Sequence, residues 1–395
     1  MSPSPPPTRP ERIDSIDWVR GAVMVLMLLD HARDYLHSGG FDSNPLDPAT
    51  TSVPLYLTRW VTHLCAPTFV FLAGMSARLQ LQRGVEPRAL TRFLWTRGCV
   101  LIGIELLVLR PMIFPDAPLR SLAAFLQVLW VLGWSMVALA ALLKTPTWFV
   151  AGFGGVLVLF HNLLDGVRAD EPAVTWGGAL GSLLHQANEF PLGPDSYWVI
   201  VRYPLVPWVG VMALGYVAGG VFALDGPARR RVLGRVALGL VALFLVLRGS
   251  NVYGDPRPWA APLGSAGEPL AGWRTVLAFF DVEKYPPSLD YLAITLGLSL
   301  GALALIDGRR FGTLAKPVIT IGRVPLFFYV LQWPLLGLIG WAMRAVAGIG
   351  SESVTGFGLP GVYLGWTLGL LVLYPACRIF ADFRRRSRAA WLSYL

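Results

Sequence analysis

The sequence predicts an all-α polytopic membrane protein, a bundle of about ten transmembrane helices with both termini in the cytoplasm. Hydrophobic residues make up 54% of the 395 residues and charged residues only 14%, whereas a soluble protein carries about 25% charged residues. The apolar residues form long runs separated by short polar stretches. Because no polar segment is long enough for a second soluble core, we expect one membrane-embedded domain.

Ten segments are apolar and long enough to be candidate spans, since a helix needs about 20 mostly apolar residues to cross a bilayer. They lie near residues 15–35, 58–80, 93–113, 121–142, 147–165, 199–223, 233–249, 288–306, 317–342 and 359–380. The even number places both termini on one side. The Pro-rich N-terminus lacks the apolar region of a cleavable signal, so we expect the first span to be an uncleaved anchor.

The distribution of arginines orients these spans. The connection 78–97 carries five arginines and the connection 224–235 carries four, which the positive-inside rule assigns to the cytoplasm together with both termini. Most loop acidic residues then fall outside, in the connections 36–57, 166–198 and 250–287. The predicted organisation is a disordered cytosolic tail (1–14), an embedded domain (15–380) and a basic cytosolic tail (381–395).

The net charge of +9 does not indicate nucleic-acid binding, because the basic residues lie in short clusters between apolar runs. The three cysteines lie in or beside apolar runs and have no metal-ligand spacing, so we expect no metal site. The chain also lacks a P-loop, an HExxH motif and a CxxC pair. Nothing therefore suggests ATP hydrolysis, zinc chemistry or redox chemistry.

The first span carries the most informative polar residues. Arg20 and His31 are eleven residues apart, close to three helical turns, so both project from one face about 16 Å apart along the axis. Asp30 and Asp34 flank His31, and either carboxylate could fix the imidazole tautomer and leave the other nitrogen as a base. The alternative is that this acidic cluster only marks the outer membrane interface, where polar groups are cheap.

Other candidates lie at the ends of later spans. His63 opens the second span on the same outer side as His31, either as a second imidazole in one cavity or as an interfacial residue. Tyr203 begins a Pro-interrupted span, and Lys284 and Tyr285 precede a Pro pair and another span. Such broken helix starts are tolerated in membranes where they line a cavity.

Several motifs resemble a known family. The segment "DWVRGAVMVLMLLDH" (17–31) resembles the Arg-x10-His signature of membrane acyltransferases. The fuller resemblance is to bacterial membrane proteins similar to heparan-alpha-glucosaminide N-acetyltransferase, and it covers nearly the whole chain. The segments that carry this resemblance are "RIDSIDWVRG", "APTFVFLAGMS", "QVLWVLGWSM", "HNLLDG", "RYPLVPWVGVMALGY", "KYPPSL" and "GRVPLFFYVLQWPL".

The resemblance implies acyl transfer across a bacterial cytoplasmic membrane, from cytosolic acyl-CoA (acetyl-CoA) to a sugar or another hydroxyl or amine acceptor on the far side. His31 matches the signature histidine and Arg20 the signature arginine. The lysosomal relative has its proposed catalytic histidine in the loop before the second span, where this chain offers His37 and, nearby, His63. Gln332 stands where many bacterial relatives carry histidine. The base is therefore either His31 or His63.

The roles expected from this resemblance divide into three groups. The catalytic residues are His31, Asp30 and His63. The donor's phosphates are expected to meet Arg20, Arg97 and Arg323, although Arg323 could instead snorkel to the interface and the positive-inside rule explains Arg97 without a ligand. The acceptor is expected to meet Asp34, Tyr203, Lys284 and Tyr285.

Two rival functions fit the same architecture. The first is a proton-coupled transporter or flippase with Arg20 and His31 as its substrate site. The second is a membrane partner that keeps the fold without catalysis. The expected partners are the lipid bilayer and a small-molecule or glycan acceptor, and the oligomeric state is left open.

Overall fold

A computed structural model describes residues 13–40, 43–114, 124–167, 174–192, 197–263, 267, 269–270, 272–349, 356–387 and 389–394. Most of the predicted N-terminal tail, residues 1–12, lies outside this range. Helices dominate the described residues, as expected from the long apolar runs. The helix predicted for the first span begins at Asp14, directly where the predicted tail ends.

The described helices, in chain order, are α1 (Asp14–Leu36), α2 (Val53–Trp60), α3 (Cys65–Gln82), α4 (Pro87–Ile104), α5 (Arg110–Ile113), α6 (Val128–Leu142), α7 (Thr147–Phe160), α8 (Trp176–Leu184), α9 (Leu205–Ala218), α10 (Gly226–Ser250), α11 (Gly272–Phe280), α12 (Leu289–Ile306), α13 (Lys316–Arg323), α14 (Pro325–Val346) and α15 (Leu359–Arg386). A 3-10 turn (Val61–Leu64) joins α2 to α3, and a π-helical turn (Glu105–Leu109) joins α4 to α5. Further 3-10 turns are His161–Leu164, Gly219–Ala223, Thr313–Ala315 and Ala390–Ser393.

Seven helical segments in the described chain are long and apolar enough to cross a membrane: Val53–Gln82, Thr147–Leu164, Leu205–Ala223, Gly226–Ser250, Leu289–Ile306, Pro325–Val346 and Leu359–Arg386. The chain is therefore a multi-pass membrane protein. The three other predicted spans correspond to α1 and α4, which carry more charged residues, and to α6, which has only 15 residues. The total of ten spans and the side of the termini stay predictions.

Glycines let the long helices approach closely. A Cβ on Gly21 of α1 would fall on the backbone carbonyl of Val318, and one on Gly322 of α13 would fall on the carbonyl of Asp17. Small residues allow backbones in a membrane to come this near. The central helix α1 also packs against α3, α12, α14 and α15, so the polar residues that it carries are held inside the bundle.

Three short strands depart from a purely helical fold. Strands β1 (Ala124–Leu126), β2 (Asn188–Pro191) and β3 (Trp198–Val201) form one sheet in the order β1-β3-β2. β1 is parallel to β3, and β2 is antiparallel to it. The sequence predicted spans from 121 and from 199. The strands occupy both starts, and the helices follow only at Val128 and Leu205.

The predicted span 317–342 is broken into two helices. α13 ends at Arg323 and α14 begins at Pro325, because proline has no N–H to donate and is tolerated at the first turn of a helix. The break places Arg323 at the end of a short helix. At the same end of the bundle, where Arg384 donates to the carbonyl of Arg323 at 3.3 Å, α15 continues to Arg386, six residues beyond the predicted end of its span.

Candidate functional site

His31 lies near the outer end of α1, against an aromatic wall from α14. Its imidazole stacks on the indole of Trp333, with ring centroids 4.0 Å apart, and meets the edge of Tyr329 at 6.3 Å. The amide of Gln332 lies beside the imidazole. The Nδ1 atom of His31 is buried and has no hydrogen-bond partner among the described residues. The ring is thus held in position by packing, and one nitrogen is left unused.

Asp30 is compensated by two guanidinium groups. Its Oδ2 atom lies 3.5 Å from Nη1 of Arg59, and its Oδ1 atom lies 3.8 Å from Nη2 of Arg33. Arg33 also forms a close ion pair with Asp34. The structure therefore directs Asp34 toward Arg33, and within the described residues no hydrogen bond joins Asp34 to His31. Asp30 can remain ionised here because it is paired.

A small outer cavity of about 30 Å³ lies in front of His31. This outer cavity is lined by Met27, Asp30, His31, Thr62, Cys65, Ala66, Gln127, Val128, Tyr203, Lys284 and Tyr329. It unites residues from α1, the α2–α3 junction, the start of α6, the start of α9 and the loop before α12. Four residues that the sequence singled out separately therefore meet in one place.

Tyr285 lies next to this lining. Its ring meets the edge of Tyr203 at 5.5 Å, and the ammonium group of Lys284 lies 5.0 Å from the centre of the Tyr285 ring. Lys284 is only 7% exposed. Together with Arg59 it supplies positive charge beside the carboxylate of Asp30 and the imidazole of His31.

His63 occupies a different environment from His31. It is buried in the turn between α2 and α3, its ring packs edge-on against Tyr291 at 5.2 Å, and it is not among the residues that line the outer cavity. Neither of its ring nitrogens has a partner among the described residues. His37, the other histidine near α1, accepts a hydrogen bond from Gly39 at Nδ1, and burial together with Arg33 lowers the pKa of His37.

Sequence reasoning missed Arg59 and gave no role to Gln127, a polar residue of the fourth predicted span. Arg59 lies next to Asp30 and stands at the edge of the second predicted span. A charged residue at that position was the feature of the sequence that could have indicated a role in the site. Gln127 precedes α6 and presents an unpartnered Nε2 atom to the outer cavity. Buried polar atoms are normally paired, so the unpaired atoms of Gln127, Gln332 and His31 mark a place suited to a polar ligand or to water.

The three arginines predicted to meet the donor line one inner pocket of about 220 Å³. Arg20 donates to Asp17 Oδ1 at 3.1 Å, to the carbonyl of Gly322 at 3.3 Å and to Ser76 Oγ at 2.9 Å. It therefore ties α1 to α3 and α13 at the wall of this pocket.

The other two arginines differ in their partners. Arg323 pairs with Asp14 at 2.8 Å and with Asp17 at 3.4 Å. Arg97 lies 5.8 Å over the ring of Phe93, and its Nε atom has no partner in the described part of the chain. Arg83 and Arg384 line the inner pocket as well, so arginines far outnumber its acidic residues.

An apolar pocket of about 30 Å³ lies between the inner pocket and the outer cavity. It shares Phe69, Arg97, Leu132 and Pro325 with the inner pocket. It shares Met27, Val128 and Tyr329 with the outer cavity. A polar site at His31 is thus linked through apolar walls to an arginine-rich pocket near the opposite end of α1.

Comparison with known protein families finds a match. A family model described as "Heparan-alpha-glucosaminide N-acetyltransferase, catalytic" matches residues 12–251, which is more than half of the chain. No curated protein matches the chain. The matched range includes α1, the α2–α3 junction, Arg97 and Tyr203, whereas Lys284, Tyr285 and α14 lie beyond it.

Proposed function

The chain belongs to the heparan-alpha-glucosaminide N-acetyltransferase catalytic family and is an acyl-group transferase, and from this premise we propose how it acts. It takes an acetyl group from cytosolic acetyl-CoA and transfers it to a hydroxyl or amine, such as that of a sugar, on the extracytoplasmic side of a bacterial cytoplasmic membrane. One observation carries the proposal. The apolar pocket lies between the outer cavity, which His31 lines, and the arginine-rich inner pocket, and it shares lining residues with both.

The inner pocket holds the phosphates of the donor. Guanidinium groups pair with phosphate oxygens through strong, charge-assisted hydrogen bonds. Arg97 is suited to this role because it lies where the inner pocket meets the apolar pocket and its Nε atom is unpaired. Arg323 lines the same pocket, and Arg20 holds its wall. The narrow acyl-pantetheine arm then extends through the apolar pocket toward His31. In this way the acyl group reaches His31 while the nucleotide stays on its own side of the membrane.

Acyl transfer takes place in the outer cavity. His31 removes the proton from the acceptor's hydroxyl or amine, and the acceptor oxygen or nitrogen attacks the thioester carbonyl. The C–S bond breaks as the tetrahedral intermediate collapses, and the coenzyme A thiolate leaves and takes up a proton. Lys284 and Arg59 stabilise the negative charge of the intermediate, since preorganised positive groups are most effective in a site that excludes water. Tyr203 and Tyr285 supply the surface against which the acceptor packs.

Asp30 stabilises the protonated imidazole that forms during this step. Its carboxylate belongs to the residue next to His31 and is held by Arg59 and Arg33. Asp34 forms an ion pair with Arg33 and contacts the acceptor only at the rim of the outer cavity. A covalent acyl-imidazole on His31 is the alternative order of events, and it requires the same residues.

His31 is favoured over His63 as the base because only His31 lines the outer cavity. The test compares purified wild type, His31→Ala and His63→Ala in detergent micelles with isotope-labelled acetyl-CoA and a panel of amino sugars and alcohols. Mass spectrometry detects the acetylated product. Losing a general base costs typically 10²–10⁴-fold in rate, so His31→Ala should fall by about that much. His63→Ala should retain transfer, provided that its thermal unfolding matches that of wild type.

Three results would contradict the proposal. Equal transfer by all three proteins would remove both histidines from the mechanism. Loss in His63→Ala alone, with normal folding, would assign the base to His63. Movement of a labelled substrate across proteoliposomes without acetylation would instead favour the transporter hypothesis.

A further inference from the structure

A second basic surface lies beside the inner pocket, at the arginine-rich end of α15. It is a groove of about 1110 Å³ bordered by α13 and α15. We propose that this groove binds the phosphate headgroup of an anionic phospholipid. The cations that line it are Arg83, Lys316, Arg323, Arg378, Arg384 and Arg385.

The charge of the groove is poorly compensated. Its acidic residue, Asp382, is engaged by Arg385, and Arg323 is paired with acids of α1. Lys316 and Arg378 are exposed, and neither forms an ion pair with an acid of the described residues. Two cations therefore line one groove without an acidic partner among the described residues, which leaves them available to pair with a phosphate group.

The face of α15 that enters the groove has the polarity profile of a lipid. Leu371, Tyr374, Arg378 and Arg385 are spaced at three, four and seven residues, so they lie along one face of the helix. Leu371 is 65% exposed, the tyrosine follows, and the two arginines come last. This order matches the parts of a membrane lipid. The apolar side chain lies at the level of the acyl chain, the aromatic one at the interface and the basic ones at the headgroup.

The opposite wall has the same character. Leu314 is 94% exposed and lies two residues before Lys316, at the start of the short helix α13. An acyl chain would cover Leu314 and Leu371, whereas a free phosphate compound would leave both in contact with water. Exposed apolar side chains beside a basic pocket therefore favour a lipid over a soluble anion as the ligand.

The groove is separable from the donor pocket by its own residues. Arg83, Arg323 and Arg384 line both, but Lys316 and Arg378 line only the groove. The test uses the double variant Lys316→Gln/Arg378→Gln. The matched control is Arg231→Gln/Arg235→Gln, which removes the same charge from exposed positions on α10, a helix that packs chiefly on α12.

The full chain is purified in detergent, and binding of phosphatidylglycerol, phosphatidylcholine and inorganic phosphate is measured by native mass spectrometry. No acyl donor is present, so the result is independent of the proposed enzymatic function. Each basic residue near an anionic surface contributes about a fivefold change in affinity. Wild type and the control should prefer phosphatidylglycerol to phosphatidylcholine, and the double variant should bind phosphatidylglycerol about 25-fold more weakly.

Three outcomes would overturn the proposal. The first is equal retention of phosphatidylglycerol and phosphatidylcholine by wild type. The second is an equal loss of phosphatidylglycerol from the groove variant and the α10 control, which would indicate a nonspecific effect of net charge. The third is binding of inorganic phosphate that depends on Lys316 and Arg378 while lipid binding does not, which would assign the groove to a soluble phosphate compound.

Discussion

The ion pair between Asp30 and Arg59 is expected to couple the outer end of α1 to the α2–α3 junction. The perturbation is a double-mutant cycle made of Asp30→Asn, Arg59→Gln and the double variant. Both substitutions keep a polar side chain and remove the charge. The two side chains are only 14% and 10% exposed, so each single variant leaves its partner's charge poorly solvated.

The distance sets the size of the effect. Two unit charges 3.5 Å apart attract each other by about 5 kcal/mol at an effective dielectric constant of about 20. Desolvation offsets part of this attraction, and Arg33 also compensates Asp30 at 3.8 Å. We therefore expect a coupling free energy of about 2 kcal/mol. Because Arg33 remains in Arg59→Gln, that variant should lose less stability than Asp30→Asn, which leaves two guanidinium groups without their shared carboxylate.

The assay is unfolding of the purified protein in detergent micelles by increasing denaturant at pH 7. The exposed pair of Asp382 and Arg385, in which the side chains are 37% and 70% exposed, is the matched control and should couple by well under about 1 kcal/mol. If the double variant's loss of unfolding free energy equals the sum of the losses in Asp30→Asn and Arg59→Gln to within about 0.5 kcal/mol, the two groups do not interact as the geometry requires.

Two further predictions concern packing and the donor. Gly21→Ala should lower the free energy of unfolding by about 2 kcal/mol or more, because its Cβ would overlap the backbone carbonyl of Val318; Gly103→Ala, which meets no atom within 4 Å, should be neutral or stabilising in thermal unfolding. Arg97→Gln should raise the KM for acetyl-CoA about tenfold or more through loss of a charged hydrogen bond, while the exposed Arg88→Gln should not. Equal thermal shifts for the glycine variants, or equal KM values for the arginine variants, would refute these assignments.

Much of the architecture follows from local apolar content. Every predicted span contains a helix, because a run of about 20 apolar residues is stable in a bilayer only with its backbone hydrogen bonds made internally. The boundaries were less predictable. The strand before α9 and the break before α14 consist of residues as apolar as those of a span, so hydropathy does not distinguish them. The segment before α9 forms a strand because β3 pairs with β1 and β2. The helix breaks before α14 because Pro325 begins a new helix.

The candidate site was predictable in part. The spacing of Arg20 and His31 indicated a polar group at each end of one helix face, and the structure has a pocket at each end. The joining of Tyr203 and Lys284 to that face was not predictable, since these residues lie far apart in the chain and meet at the outer cavity only in the folded bundle. The same holds for the stacking of Trp333 on His31.

The sequence by itself determined that this is a helical membrane protein, that α1 carries the signature of its family, and that arginines gather at one end of the bundle. These properties depend on composition, on spacing within one helix and on short motifs. Only the tertiary structure decided that His31 and not His63 lines the outer cavity, that Arg59 compensates Asp30, and that an apolar pocket lies between the two ends. Those facts depend on which helices pack against each other. Contacts between segments that are distant in the chain produce no periodic pattern in a single sequence.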